Sequence, residues 1–124
     1  MRRHLAAMRL IVDEPESHAL ADALASDRRF VASWLLHTEL HCASGRHPQE
    51  IPLGTVQAVL NTMNLVDLTR GDMLAAGTHA PLRSNDAIHL AVAIRLGTDE
   101  IATYDGELAD AAKSAGLAIL APDA

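Results

Sequence analysis

Ser84-Asn85-Asp86-Ala87-Ile88-His89-Leu90-Ala91-Val92-Ala93-Ile94-Arg95-Leu96-Gly97-Thr98-Asp99-Glu100-Ile101-Ala102-Thr103-Tyr104-Asp105-Gly106-Glu107-Leu108 reads as a helix, a strand and the start of a second helix, and that order decides the fold. From Asn85 to Leu96 nearly every side chain is apolar, so the pattern predicts a long helix buried on several sides. Gly97 ends it. Glu100 to Tyr104 is a short apolar run suited to a buried strand, and Gly106 opens a helix that runs to Ala115, where Gly116 supplies a left-handed stop. Leu117 to Leu120 is a second strand of the same kind. Two strands flanking one helix imply a parallel sheet covered on both faces, which is why Ala118-Ile119-Leu120 is continuously apolar.

Upstream the alternation continues. Pro81 separates the long helix from an expected helix over Asp72 to His79, and Leu65-Val66-Asp67-Leu68 is an expected strand. Residues Gln49 to Asn61 form a helix whose true start is shifted to about Leu53 by Pro52 and Gly54. A short strand centres on Phe30-Val31-Ala32, and Ser33 caps a helix from Trp34 to Ala43 that ends at Gly45. Leu20, Ala23 and Leu24 stripe another helix, capped by Ser17 and ended by Ser26-Asp27. Leu5, Met8 and Val12 place a first helix over His4 to Val12, stopped at Asp13-Glu14-Pro15. No repeat or low-complexity linker interrupts this order, and 124 residues suit a single domain, residues 1–124.

Hydrophobic residues make up 49% and charged residues 21%, a globular composition. Aromatics are 2%, with one each of Trp, Tyr and Phe, so the core is built from Ala, Leu, Ile and Val. That disfavours RNA readers that stack bases on aromatic platforms. The net charge of −6 argues against binding nucleic acid mainly by phosphate neutralisation, and leaves a metal or a small basic patch as the local means. A lone Cys42 excludes an internal disulfide and a cysteine zinc cluster, and fits a reducing cytoplasm. No apolar run approaches the roughly 18 residues that span a membrane. The basic start, Met1 to Leu10, lacks the apolar stretch and cleavage site of a signal peptide.

In open parallel α/β sheets, ligands bind beyond the carboxyl ends of the strands. Asp105 follows such a strand directly, although an Asp opening a helix also serves as an ordinary N-cap. Asp86 opens the long helix, where Ser84 or Asn85 can already cap, so Asp86 has no required capping task. Glu39 lies inside a helix, where capping is impossible. Leu35 and Cys42 continue its stripe inward and Leu36, Leu40 and Ala43 widen the apolar face, so its carboxylate needs a cation or donors. The alternative is a boundary Glu that reaches solvent and pairs with Arg46. Three acids brought together repel one another, and a hard divalent cation with oxygen ligands offsets that repulsion. Magnesium meets the requirement, because it binds through one or two carboxylates plus waters and substrate phosphates. His37 and His41 flank Glu39 but depart from the H-E-x-x-H zinc arrangement, so they read as solvent-facing residues.

The stretch Leu82 to Ala93 followed by Ile101-Ala102-Thr103-Tyr104-Asp105-Gly106-Glu107-Leu108 strongly resembles the C-terminal half of PIN-domain ribonucleases of the VapC toxin type. Leu10-Ile11-Val12-Asp13-Glu14-Pro15-Glu16-Ser17 is similar to the segment joining that family's first two helices, and Thr38-Glu39-Leu40 to its acidic helix. The resemblance implies a three-layer α/β/α sandwich with a parallel sheet. It also implies a toxin-type endoribonuclease dependent on magnesium or manganese that hydrolyses RNA phosphodiester bonds as a homodimer. A cognate VapB-like antitoxin would neutralise it. The family's acids carry over to Glu39, Asp86 and Asp105, as metal ligands and catalytic residues, and its polar residue two before the last acid to Thr103. One departure stands out. The family opens with a central strand ending in Asp, and that Asp falls near Arg3, so the first strand is expected to be missing or altered. A start further upstream would restore the strand. The alternative function is a catalytically inactive PIN-like module that still binds an antitoxin-like partner.

Overall fold

The computed structural model describes residues 4–7, 29–103 and 105–120. In chain order the elements are β1 (His4–Ala7), β2 (Arg29–Ser33), α1 (Trp34–Arg46), α2 (Leu53–Asn61), β3 (Met63–Val66), α3 (Arg70–Ala76), α4 (Ser84–Arg95), β4 (Glu100–Ala102), α5 (Gly106–Ser114) and β5 (Ala118–Leu120). The strands form one sheet in the order β3-β2-β1-β4-β5, with every neighbouring pair parallel.

Strand β1 corrects two expectations. His4 to Ala7 is extended rather than helical, and of the two expectations for the central strand, missing or altered, the first falls: it is present, paired on one side with β2 and on the other with β4. Four residues are too few for a helical period to outweigh pairing. The facing edges of β2 and β4 each present a row of backbone N–H and C=O groups, and β1 satisfies both rows at once. Residues 8–12 of the expected first helix, and the expected helix starting at Ser17, lie outside the described residues.

The register sets the layers. Through β1, Phe30 shares a row with Glu100, whereas Val31 shares the next row with Ile101. Successive residues of a strand face opposite sides, so Phe30 and Ile101 face opposite sides of the sheet. On the Phe30 side the core is Phe30, Ala32, Leu36, Leu40, Ile51 and Val56, supplied by β2, α1, α2 and the turn before α2. On the Ile101 side it is Ile101, Leu90, Ala93, Leu108, Ala112 and Leu117, supplied by β4, α4, α5 and the residue just before β5. Helices thus cover both faces, which is the expected α/β/α sandwich.

Local chemistry explains most boundaries. Ser33 ends β2 and caps α1, accepting a hydrogen bond from Leu35 N at 3.2 Å. Thr69 and Asp72 form a reciprocal capping box that opens α3. Gly97 and Gly116 adopt φ of +67° and +92°, and so end α4 and α5 where L side chains would be strained. Helix α3 meets α4 through Ala76, Ala87 and Ala91, whose small side chains allow the two axes to approach closely. The pair is locked at its far end by Arg95, whose guanidinium donates to Asp72 Oδ1 at 2.7 Å and Oδ2 at 3.0 Å.

Candidate active site

The connections bring the candidate residues toward one edge of the sheet. Helix α4 is joined to β4 by a short link, Leu96 to Asp99, and packs on the same core as β4, so it runs back against the strand. Its first turn, with Asp86, therefore lies toward the carboxyl ends of the strands, the edge from which Thr103 and Asp105 also project after β4. Helix α1 leaves that edge directly from Ser33.

Glu39 is the best-defined member. Leu36, Leu40 and Ala43 form the buried face of α1, and Glu39 sits on its margin with a side chain 10% exposed. The carboxylate is held by α4. Asn85 Nδ2 donates to Oε2 at 3.1 Å, and His89 Nε2 makes a short contact with Oε1. The carboxylate is thus largely withdrawn from solvent and supplied with donors, as the inward reading of Glu39 expects. Cys42 is exposed, which corrects the expected inward direction of that side of the stripe. The buried face is centred on Leu36 and Leu40, so a residue two beyond Leu40 is rotated well away from it.

Asp86 is 7% exposed, in the first turn of α4, where the helix dipole favours a carboxylate. Neither Ser84 nor Asn85 caps this helix. Ser84 is its first residue, Arg83 stands at the cap position without a side-chain hydrogen bond, and the Asn85 amide is turned to Glu39. Asp86 and His89 are three residues apart and so lie on one side of α4, which places Asp86 beside the helix turn that grips Glu39.

Asp105 does cap α5, through Oδ1 accepting from Leu108 N at 3.1 Å. Its backbone N–H donates to Thr103 Oγ1 at 3.0 Å, and Thr103 is buried. Thr103 thus builds the turn that presents the acid, a local hydroxyl-to-backbone turn that needs Ser or Thr at this spacing. Among the described residues, no three His, Cys, Asp or Glu side chains gather closely enough to hold a metal ion. Glu39 and the Asp86 turn are brought together; Asp105 stands on its own turn. The position of the expected first acid, near Arg3, lies outside the described residues, and His4 to Ala7 contains no acid.

His37 and His41 stack on one another with ring centroids 4.1 Å apart, and Trp34 tilts against His37 at 5.3 Å. They are half-buried rather than freely solvent-facing, and His41 Nδ1 is engaged with the His37 carbonyl at 2.8 Å. Stacking sets the two rings side by side instead of converging them on one point. The reading missed Asn85 and His89. Their signal was the spacing of four within a helix opened by Asp86, but the partner that gives them meaning is 46 and 50 residues away in sequence.

A parallel α/β sandwich with acids on the turns and helices at the carboxyl edge of its sheet defines a class of compact acid-bearing α/β domains. The PIN domain family model matches residues 6–114. Ribonuclease VapC46 of Mycobacterium tuberculosis (strain ATCC 25618 / H37Rv) is 36% identical over 121 residues, covering 94% of this chain and 92% of the relative. Ribonuclease VapC35 of Mycobacterium tuberculosis (strain CDC 1551 / Oshkosh) is 36% identical over 126 residues with the same coverage. A crystal structure of VapBC2 from Rickettsia felis bound to a DNA fragment from their promoter contains a chain of like fold, with a TM-score of 0.63, 11% identity, and coverage of 94% of this chain and 97% of that one. The chain belongs to the PIN-domain family, in its VapC branch.

Proposed function

We propose that this chain is a VapC-type toxin that hydrolyses RNA phosphodiester bonds with the help of magnesium or manganese. Its main structural support is the Glu39 carboxylate, on a side chain 10% exposed and gripped by the same turn of α4 that carries Asp86. The ribonuclease names of relatives 36% identical over almost the whole chain supply the reaction class. Glu39, Asp86 and Asp105 are oxygen-only donors, which suits a hard cation, and two carboxylates plus waters are enough for magnesium. Among the described residues the three side chains do not gather closely enough to hold an ion; in the proposal they would close on one, which would supply a water of lowered pKa and offset charge developing on the phosphate. Thr103 keeps Asp105 aimed from its turn, and Asn85 and His89 keep Glu39 in place. A VapB-like antitoxin is the proposed neutralising partner, in keeping with the VapBC assembly of the structural neighbour. A single domain acting as a cytoplasmic homodimer completes the proposal; among the described residues no helix is long and apolar enough to cross a membrane.

The test is cleavage of RNA by the purified protein, freed of antitoxin, with magnesium or manganese added. Cleavage that EDTA stops, and that Asp86→Asn lowers by at least a hundredfold, is the expected result. Equal cleavage by the Asn variant would overturn the assignment of Asp86. Binding of an antitoxin peptide with no metal-dependent cleavage would replace the enzyme with an inactive PIN-like module.

A further inference from the structure

Helix α1 carries a second group of side chains that the acids leave unused. Trp34, His37 and His41 follow one another at spacings of three and four, so they form a single stripe along the helix. His37 and His41 stack with their planes 28° apart, whereas Trp34 meets His37 at 52°. A ring tilted that far leaves much of its own face unused by its neighbour, and Trp34 is 48% exposed. Trp34 is the only Trp of the chain. While Phe30 is sunk in the core at 2% exposure, this larger ring stands outside it, at the open end of a ladder of rings.

Position and charge narrow what the stripe fits. Glu39 is two residues from His37, about 200° round the helix axis, so its carboxylate is turned away from the rings and toward α4. It is the only acid of α1, and α2 has none, although the chain as a whole carries −6. Helix α1 ends instead in Arg46, followed by His47, and both are exposed. A face poor in acids and closed by a cation suits an anionic partner, and the rings suit one with flat groups to lay on them. Single-stranded RNA offers both, since unpaired bases stack on aromatic side chains while the backbone meets cations. In a duplex the base faces are already covered. From Trp34 to His41 the stripe is roughly 10 Å long, room for about three nucleotides at the ~3.4 Å spacing along one strand. Trp34 opens α1 at the carboxyl end of β2, so a strand laid on the stripe begins at the edge of the sheet where the candidate acids stand.

Taking the substrate class from the ribonuclease reading above, we propose that the Trp34-His37-His41 stripe of α1 is a base-stacking platform for single-stranded RNA, with Trp34 as its open ring and Arg46 as a phosphate contact. The platform holds RNA by the faces of its bases more than by charge, which is how a chain of net charge −6 retains a strand. Stacking accepts every base, so the platform sets where RNA lies and not which sequence is bound.

The experiment titrates the full chain, in EDTA, with a mixed-sequence single-stranded RNA of about twelve nucleotides and with an abasic oligonucleotide of the same length. Because there is one Trp, the intrinsic fluorescence reports on this stripe alone. RNA is expected to quench it and the abasic strand to leave it unchanged. By anisotropy of labelled RNA, Trp34→Ala is expected to weaken binding roughly fivefold to a hundredfold, and Trp34→Phe, which keeps a ring face, to restore it to within about threefold. Thermal melts give the folding control. Equal RNA affinity in folded parent and folded Trp34→Ala, or equal parent affinity for RNA and the abasic strand, overturns the platform. Should Trp34→Ala fail to melt cooperatively, His41→Ala decides: weaker RNA binding supports the platform and unchanged binding overturns it. A face that serves a protein partner instead would leave the Trp34 fluorescence unmoved by bound RNA, which also overturns it. RNA bound without quenching, yet cleaved once magnesium is added, removes the platform and leaves the ribonuclease reading standing; a folded parent that neither binds nor cleaves RNA removes both.

Discussion

At the residue scale, Thr103 shows how a small polar group aims a larger one. Its hydroxyl accepts the Asp105 N–H inside a turn whose Thr is buried, while the Asp105 side chain caps α5. Thr103→Val keeps the shape and removes the acceptor of the part-buried Asp105 N–H. It is expected to lower stability by about 1–3 kcal/mol, read as a drop in urea midpoint, and to reduce cleavage more than saturating magnesium can recover. Unchanged stability and cleavage would show the turn to be held by other contacts. Glu39 and Asp86 stood out as a carboxylate within an apolar helix and an acid opening a buried one, whereas Asp105 stood out only by following a strand, since it is also the ordinary N-cap of α5. Asn85 and His89 did not stand out, because an Asn near a helix start and a His inside a helix have ordinary local explanations, and only the approach of α1 makes them donors to Glu39.

At the element scale, the α3–α4 pair is fastened by Asp72, which is also one half of the α3 capping box. Burial works to raise the Asp72 carboxyl, but the Arg95 hydrogen bond and charge, with backbone and side-chain bonds from Thr69, outweigh it and hold the pKa below the ordinary 3.8. Because the folded value is the depressed one, this acid's contribution to stability is fully present above the unfolded pKa, and it is lost as pH falls below about 4 and through the folded value. Asp72→Asn should therefore be less stable by about 1–3 kcal/mol at pH 7. Its disadvantage should shrink as urea melts are taken from pH 5 toward pH 3. The Arg95 side chain is 37% exposed, so solvent screening puts the effect nearer the lower figure. A difference that stayed constant over that range would remove Asp72 as the titrating group. Most helices were readable at this scale to within a few residues, since Ser33, Pro52, Gly97 and Gly116 punctuate the chain. The α3 span ran short of its expected end because the capping box starts it at Arg70 and the turn bonds of Thr78 and His79 to Ala75 and Ala76 close it early.

At the scale of the whole molecule, β1 holds the two halves together. The β2–β3 half and the β4–β5 half make no strand pairing with each other except through His4 to Ala7, so a proline within β1 strikes both ladders. Ala6→Pro, at the row shared by Val31 and Ile101, is expected to cost about 3 kcal/mol or more and to abolish a cooperative thermal transition. Retention of the parent melting curve would remove β1 from the sheet.

The amino-acid sequence by itself determined the alternation of helices and short apolar strands, the parallel sheet that follows from it, and three acids placed where local structure does not require them all. These are consequences of short-range periodicity and capping, which neighbouring residues settle among themselves. Only the tertiary structure decided that His4 to Ala7 is the central strand and that Glu39 is gripped from α4. In the first case two sheet edges impose pairing on a segment too short to choose, and in the second a carboxylate meets its donors across 46 and 50 residues of chain.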